Sequence, residues 1–134
     1  MKSRKAPTID SWLDPGLFIL RTGLGLCMLL SHGMPYLRSF EETAPGFNDL
    51  LGLGGAMTLL LVIAVEVGAS LFLVLGYKSR LAAMALAITM AVAFFHVHGA
   101  EFSGEQSGEL AFLYLLGFIT LSITGPGRLS IDGH

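Results

Sequence analysis

Four apolar stretches separated by polar punctuation organise this chain: residues 15–37, 53–75, 81–97 and 110–124. A membrane-spanning helix needs about 20 apolar residues, within a range of about 17–25. The first two stretches meet that length, the third sits at its lower limit and the fourth is short. Leaving residues 110–123 in water would expose an apolar helix, so the pattern predicts four spans. The last would rely on local bilayer thinning and on its neighbours. The connections are short, which predicts an all-α, antiparallel four-helix transmembrane bundle spanning residues 15–124. Residues 1–14 and 125–134 are then tails. Asp14 before Pro15 reads as the N-terminal cap of the first helix. Ala83, Ala87 and Ala91, and likewise Ala64 and Gly68, recur at helical spacing as smooth contact stripes.

Composition supports the membrane reading. Of 134 residues, 53% are apolar and 13% charged, with mean hydropathy +0.69. A soluble domain carries roughly 25% charged residues, so this chain has too few to coat a globule, and too few to be disordered. The net charge of -2 offers no basic face for nucleic acid. Cys27 is the only cysteine, which excludes an internal disulfide, a CxxC pair and a cysteine-based zinc site. Lys2, Arg4 and Lys5 precede an apolar segment, as in a signal peptide. However, Asp10, Asp14 and Arg21 interrupt that segment and no small-x-small cleavage site follows. Lys2, Arg4, Lys5, Lys78, Arg80 and Arg128 flank one side of the spans and Arg38 alone the other, so both termini are expected in the cytoplasm.

The polar residues inside the spans carry the chemistry. A charge at mid-span costs on the order of 3 kcal/mol and normally faces a partner or a cavity. Arg21, His32, Glu66, His96 and, at the mouth of the fourth span, Glu109 are of this kind. Helical spacing puts Arg21 with His32, Glu66 with Ser70, Thr89 with His96, and Glu109 with Thr120 and Thr124. One polar stripe per helix predicts a bundle around a polar line. At 1.5 Å per residue, Arg21 lies about 10 Å and Glu66 about 15 Å from the cytoplasmic end, which predicts an ion pair between them. His32, His96 and Glu109 form a second cluster toward the outer face. The run His32-Gly33-Met34-Pro35 also reads as a helix end stopped by glycine and proline. His32, Met34, His96 and His98 are an alternative soft-metal set, suited to copper. Phe94 and Phe95 face lipid or stack on a flat ligand. A nucleotide-binding glycine loop, a nucleophile elbow and a zincin motif are all missing, and so is any motif for an intrinsic redox cofactor. A transport pore would require a homo-oligomer.

Several motifs resemble the DoxX/DoxD family of small membrane proteins. They are Leu29-Leu30-Ser31-His32-Gly33; Glu66-Val67-Gly68 through Leu75-Gly76-Tyr77-Lys78-Ser79-Arg80; Gly108-Glu109-Leu110-Ala111; and the tail Gly125-Pro126-Gly127-Arg128-Leu129-Ser130-Ile131-Asp132. The resemblance spans residues 15–132. It implies a multi-pass protein of the inner membrane with Arg21, His32, Glu66 and Glu109 at family-typical polar positions. Tyr36 stands where many relatives carry a basic residue. The family is functionally mixed: one branch is a subunit of a thiosulfate–quinone oxidoreductase, and others associate with redox or thiol-handling proteins. The leading expectation is therefore a quinone-interacting subunit of a membrane oxidoreductase. His32 and Glu109 would be its catalytic groups, Arg21, Glu66 and His96 would complete the substrate site, and electrons would come from a soluble or membrane redox partner. The alternatives are a non-catalytic anchor or assembly factor for a soluble enzyme, and metal handling at the outer face.

Overall fold

The computed structural model describes residues 9–133, all helix, turn or loop with no strand among them. Lys2, Arg4 and Lys5, on which part of the orientation argument rests, lie outside the described residues. Helix α1 (Ile9–Met28) continues through a π-helical turn (Leu29–Gly33) into α2 (Met34–Arg38), and a short α3 (Phe40–Thr43) follows. Then come α4 (Gly55–Leu75), α5 (Ser79–Val92) with a second π turn (Ala93–Val97), and α6 (Glu109–Thr124). Three helical stretches are long and apolar enough to cross a membrane, at 11–38, 55–75 and 79–97, and α6 is a shorter apolar helix. No helix end forms at Gly33-Met34-Pro35: the π turn closes at Gly33, and the helix runs on through Met34 and Pro35 to Arg38.

Helix α1 packs on α4, α4 on α5, and α5 on α6. Met28, Leu73, Leu86, Phe118 and Leu121 meet in a fully buried core. Ile19, Leu30, Leu81, Ile88 and Ile123 are exposed, as lipid-facing side chains are. Ala83 and Ala87 are buried and Ala91 packs against the core, so the α5 alanine stripe is a packing surface. Ala64 and Gly68 instead line a shallow groove between α4 and α5.

At the end of the molecule where α1 starts, the C-terminal segment folds back over the helix ends. Arg21, 2% exposed, donates from Nη1 to the carbonyls of Leu73 (3.0 Å) and Val74 (2.5 Å), and from Nη2 to that of Leu129. Leu73 and Val74 lie in the last turn of α4, where carbonyls lack the regular helical donor, and Leu73 O also accepts the Gly76 N–H at 3.2 Å. Arg80 does the same for α6, donating to Ile123 O at 2.7 Å. Asp132 caps α5: its carboxylate accepts the N–H groups of Lys78 (2.9 Å) and Ser79 (2.8 Å). Gly76, at φ 73°, closes α4 in the left-handed conformation, and a Cβ there would collide with Ser130. Asp14 does not cap the first helix but lies inside it, since Ile9 is already helical. Its carboxylate is engaged by Arg128, with the backbone N–H at 2.9 Å and Nε at 2.7 Å.

The N–H groups of Ser79 and Lys78 hold the Asp132 carboxyl below the ordinary aspartate value of 3.8. A folded value below the unfolded one adds stability that is complete above about pH 4 and lost as pH falls through the folded value. Thermal unfolding in detergent should therefore show a decline in acid for the native chain. Asp132→Asn should be less stable at neutral pH and should flatten that decline; an unchanged acid profile would contradict the cap.

Candidate functional site

A cavity of about 760 Å³ opens at the other end of the molecule, between α1–α2, α4, α5 and α6. His32 and Tyr36 enter from the first helix, Thr58 and Glu66 from α4, Thr89, His96 and His98 from α5 and its end, and Tyr114 from α6. Most of the remaining wall is apolar, from Val62 and Val65 to Val92 and Leu110. Leu61 and Ile88 also line it while being 43% and 64% exposed, so its side opening between α4 and α5 faces the lipid surface. Asn48, Leu50 and Leu51 of the α3–α4 connection cover the end of the cavity. That loop is tied down by Asp49, which accepts from Leu53 N–H at 2.9 Å and Thr58 Oγ1 at 3.3 Å.

Both π turns sit at this cavity and both carry a histidine, His32 and His96. A π turn inserts one residue into a helix, which rotates the following side chains by about 100° relative to regular spacing. The His32 ring meets Tyr114 edge-on, with centroids 5.7 Å apart. Tyr36 stands edge-on to Phe47 of the covering loop at 5.9 Å.

Glu66 is the chemically demanding residue. It is 3% exposed, and its Oε2 has no hydrogen-bond partner among the described residues. The predicted ion pair with Arg21 does not form. Arg21 is consumed by the carbonyls at 73 and 74, which lie about 10 Å further along α4. Glu66 therefore belongs with His32 and not with the arginine layer. A buried carboxyl without a partner is costly in an apolar surrounding, and such a group normally marks a binding or proton-handling position.

The other expected residues divide. His96 and His98 line the cavity, and His98 Nδ1 lies 2.9 Å from the Gln106 carbonyl. Glu109 is exposed at the start of α6, and the cavity wall runs through its neighbour Leu110. Thr120 and Thr124 are exposed too. Their hydroxyls donate to the carbonyls of Leu116 (2.8 Å) and Thr120 (3.0 Å), so α6 turns its polar stripe outward with its hydrogen bonds satisfied locally. Met34 is not in the cavity wall, and no three His, Cys, Asp or Glu side chains among the described residues are grouped to hold a metal. Phe94 is buried and packs on Phe95, Phe102 and Phe112, whereas Phe95 is exposed.

The sequence profile of the DoxX family matches residues 16–99, the stretch that supplies Arg21, His32, Tyr36, Glu66 and His96. The chain belongs to the DoxX family. Among its relatives, the DoxX protein described here is 40% identical over 125 residues to the inner membrane protein YqjF of Escherichia coli, covering 89% of this chain and 91% of that one. It is 29% identical over 126 residues to the inner membrane protein YphA of Escherichia coli, covering 87% of each. An uncharacterised protein of Haemophilus influenzae is 34% identical over 110 residues, covering 78% of this chain and 80% of that one. No solved structure matches this DoxX protein. With three helices able to cross a membrane, it is a multi-pass protein of the inner membrane.

Sequence reasoning missed Tyr114 as a site residue, because one tyrosine in an apolar helix reads as packing. It also missed the role of Gly33. A Cβ at Gly33 would lie 2.9 Å from Val67 Cγ2 and 3.3 Å from the backbone at Glu66 and Val67, so glycine is what lets the π turn touch α4 beside Glu66. Gly25 serves the same contact eight residues earlier, against Val74 and the Ser70 carbonyl. Gly33→Val should overpack this contact and cost about 1–3 kcal/mol. Val67→Ala should recover part of that loss in a double variant, read as the shift in the unfolding midpoint. Full stability of Gly33→Val would contradict the close approach.

Proposed function

We propose that this DoxX protein is the quinone-interacting subunit of a membrane oxidoreductase system, built as an antiparallel four-helix bundle with both termini in the cytoplasm. The observation that carries this reading is Glu66 Oε2, buried and unpartnered in a mostly apolar chamber that it shares with His32 and Tyr36 and that opens to lipid. A quinone head group is flat and uncharged and offers two carbonyl acceptors, so it suits a chamber with a few polar groups in an apolar wall. Bound there, a quinone supplies an acceptor for two electrons and two protons. A ring N–H of His32 and the phenol O–H of Tyr36 are the donors that orient it. The Glu66 carboxyl holds a proton within the membrane, and proton transfer by His32 and Glu66 is general acid–base work in a site that excludes bulk water. Glu109, exposed beside the chamber-lining Leu110, brings protons in from the surface for quinone reduction. Electrons come from a partner protein, since the chain carries no redox-cofactor motif.

Quinone analysis and titration of the gently solubilised protein test this. Near-equal stoichiometry is expected for the native chain. His32→Ala and Glu66→Gln should weaken binding by about tenfold or more, since loss of one polar contact in a dry site is worth about 1.4 kcal/mol or more. Glu109→Gln should bind normally and slow proton uptake. A protein that binds no quinone but retains a stoichiometric enzyme, whatever stands at position 32, would overturn this reading in favour of an anchor.

A further inference from the structure

A shallow groove of about 330 Å³ between α4 and α5 adjoins the chamber. Val65 lines both. On one side of Val65 the walls are Thr58, Leu61, Glu66, Ile88 and Thr89. On the other they are Ala64, Gly68, Phe72, Leu81 and Ala85, ending at Lys78. From Thr58 to Phe72 the crevice follows α4 for about 21 Å. The two parts differ in character: hydrogen-bonding groups stand around Glu66 in the chamber, and small apolar side chains around Gly68 in the groove. Gly68 itself is open: a Cβ there would meet nothing within 4 Å. The small residues at 64 and 68 therefore do not bring α4 and α5 together, as a contact stripe would, but leave a channel on the lipid-facing surface.

We infer that this crevice is a two-part site for one long-tailed quinone, with the head group at Glu66, His32 and Tyr36 and the isoprenoid tail lying along Gly68 and Ala85. The inference rests on the quinone reading of the chamber and adds the specificity determinant: tail length is read by the α4–α5 groove. A head group entering through the opening between Leu61 and Ile88 leaves its tail at the lipid surface between those two helices, where the groove begins. Apolar burial along the groove then adds affinity that a tailless ring cannot gain.

The test is titration of the purified full-length protein in lipid nanodiscs with a long-tailed ubiquinone and with its analogue carrying a single isoprene unit. Gly68→Leu fills the groove at a position with free space around it, and Ala85→Leu fills it from the opposite wall. Each should weaken the long-tailed ligand by about tenfold while leaving the short-tailed ligand at its native affinity. Native affinity for both ligands in both variants would overturn the tail groove and leave the chamber reading standing. Equal weakening of both ligands in both variants would also overturn the groove. Failure of the native protein to bind either ligand would overturn the chamber reading and the groove together.

Discussion

Hydrocarbon offers no hydrogen-bond partners, so each polar group placed within the spans must find one in the protein or carry the cost. Arg21 and Glu66 show the two outcomes on neighbouring helices. The guanidinium spans the end of α4 and the returning tail, and donates to three backbone carbonyls there. Its position is explained by architecture alone. Glu66 Oε2 receives nothing of the kind among the described residues: the π turn after α1 passes it at Gly33, close enough to exclude a side chain, and the carboxyl is left facing a chamber. One side chain completes the fold, and the other leaves a buried carboxyl oxygen without a partner among the described residues.

The two ends of the molecule divide the work accordingly. At the end where α1 starts, Arg21, Arg80 and Asp132 cap α4, α6 and α5, and Asp14 holds Arg128, so the ends of the helices are locked by their own sequence. At the other end the helices loosen. Two π turns break the regular ladder, a loop tied through Asp49 covers the opening, and the polar side chains converge from four directions. Capped helix ends on one side and irregular helix on the other leave the chamber open at one end of the bundle.

The spans were legible in the sequence because apolar runs bounded by charge are the strongest signal a membrane chain carries, and the helices fall close to the stretches that pattern marks. His32, Glu66 and His96 were legible for the related reason that polar residues inside such runs are expensive. The partners were not. Reading Arg21 toward Glu66 assumed that opposite charges seek each other, whereas the guanidinium donates to the carbonyls at the end of α4. Thr120 and Thr124 look like a cavity-facing stripe by spacing, yet a threonine hydroxyl can bond back to its own helix and face lipid, which spacing alone does not reveal. The π turns shift helical phase without leaving a motif, and the inward position of Tyr114 follows from packing that only the folded chain defines.

The central claim is that Glu66 is the polar contact for a ligand in the chamber, and infrared difference spectroscopy of the reconstituted protein tests it most directly. Addition of quinone should shift the carboxyl stretching band that Glu66→Gln removes, because a new hydrogen bond changes that oscillator. Quinone binding that leaves the Glu66 band unmoved would contradict the account.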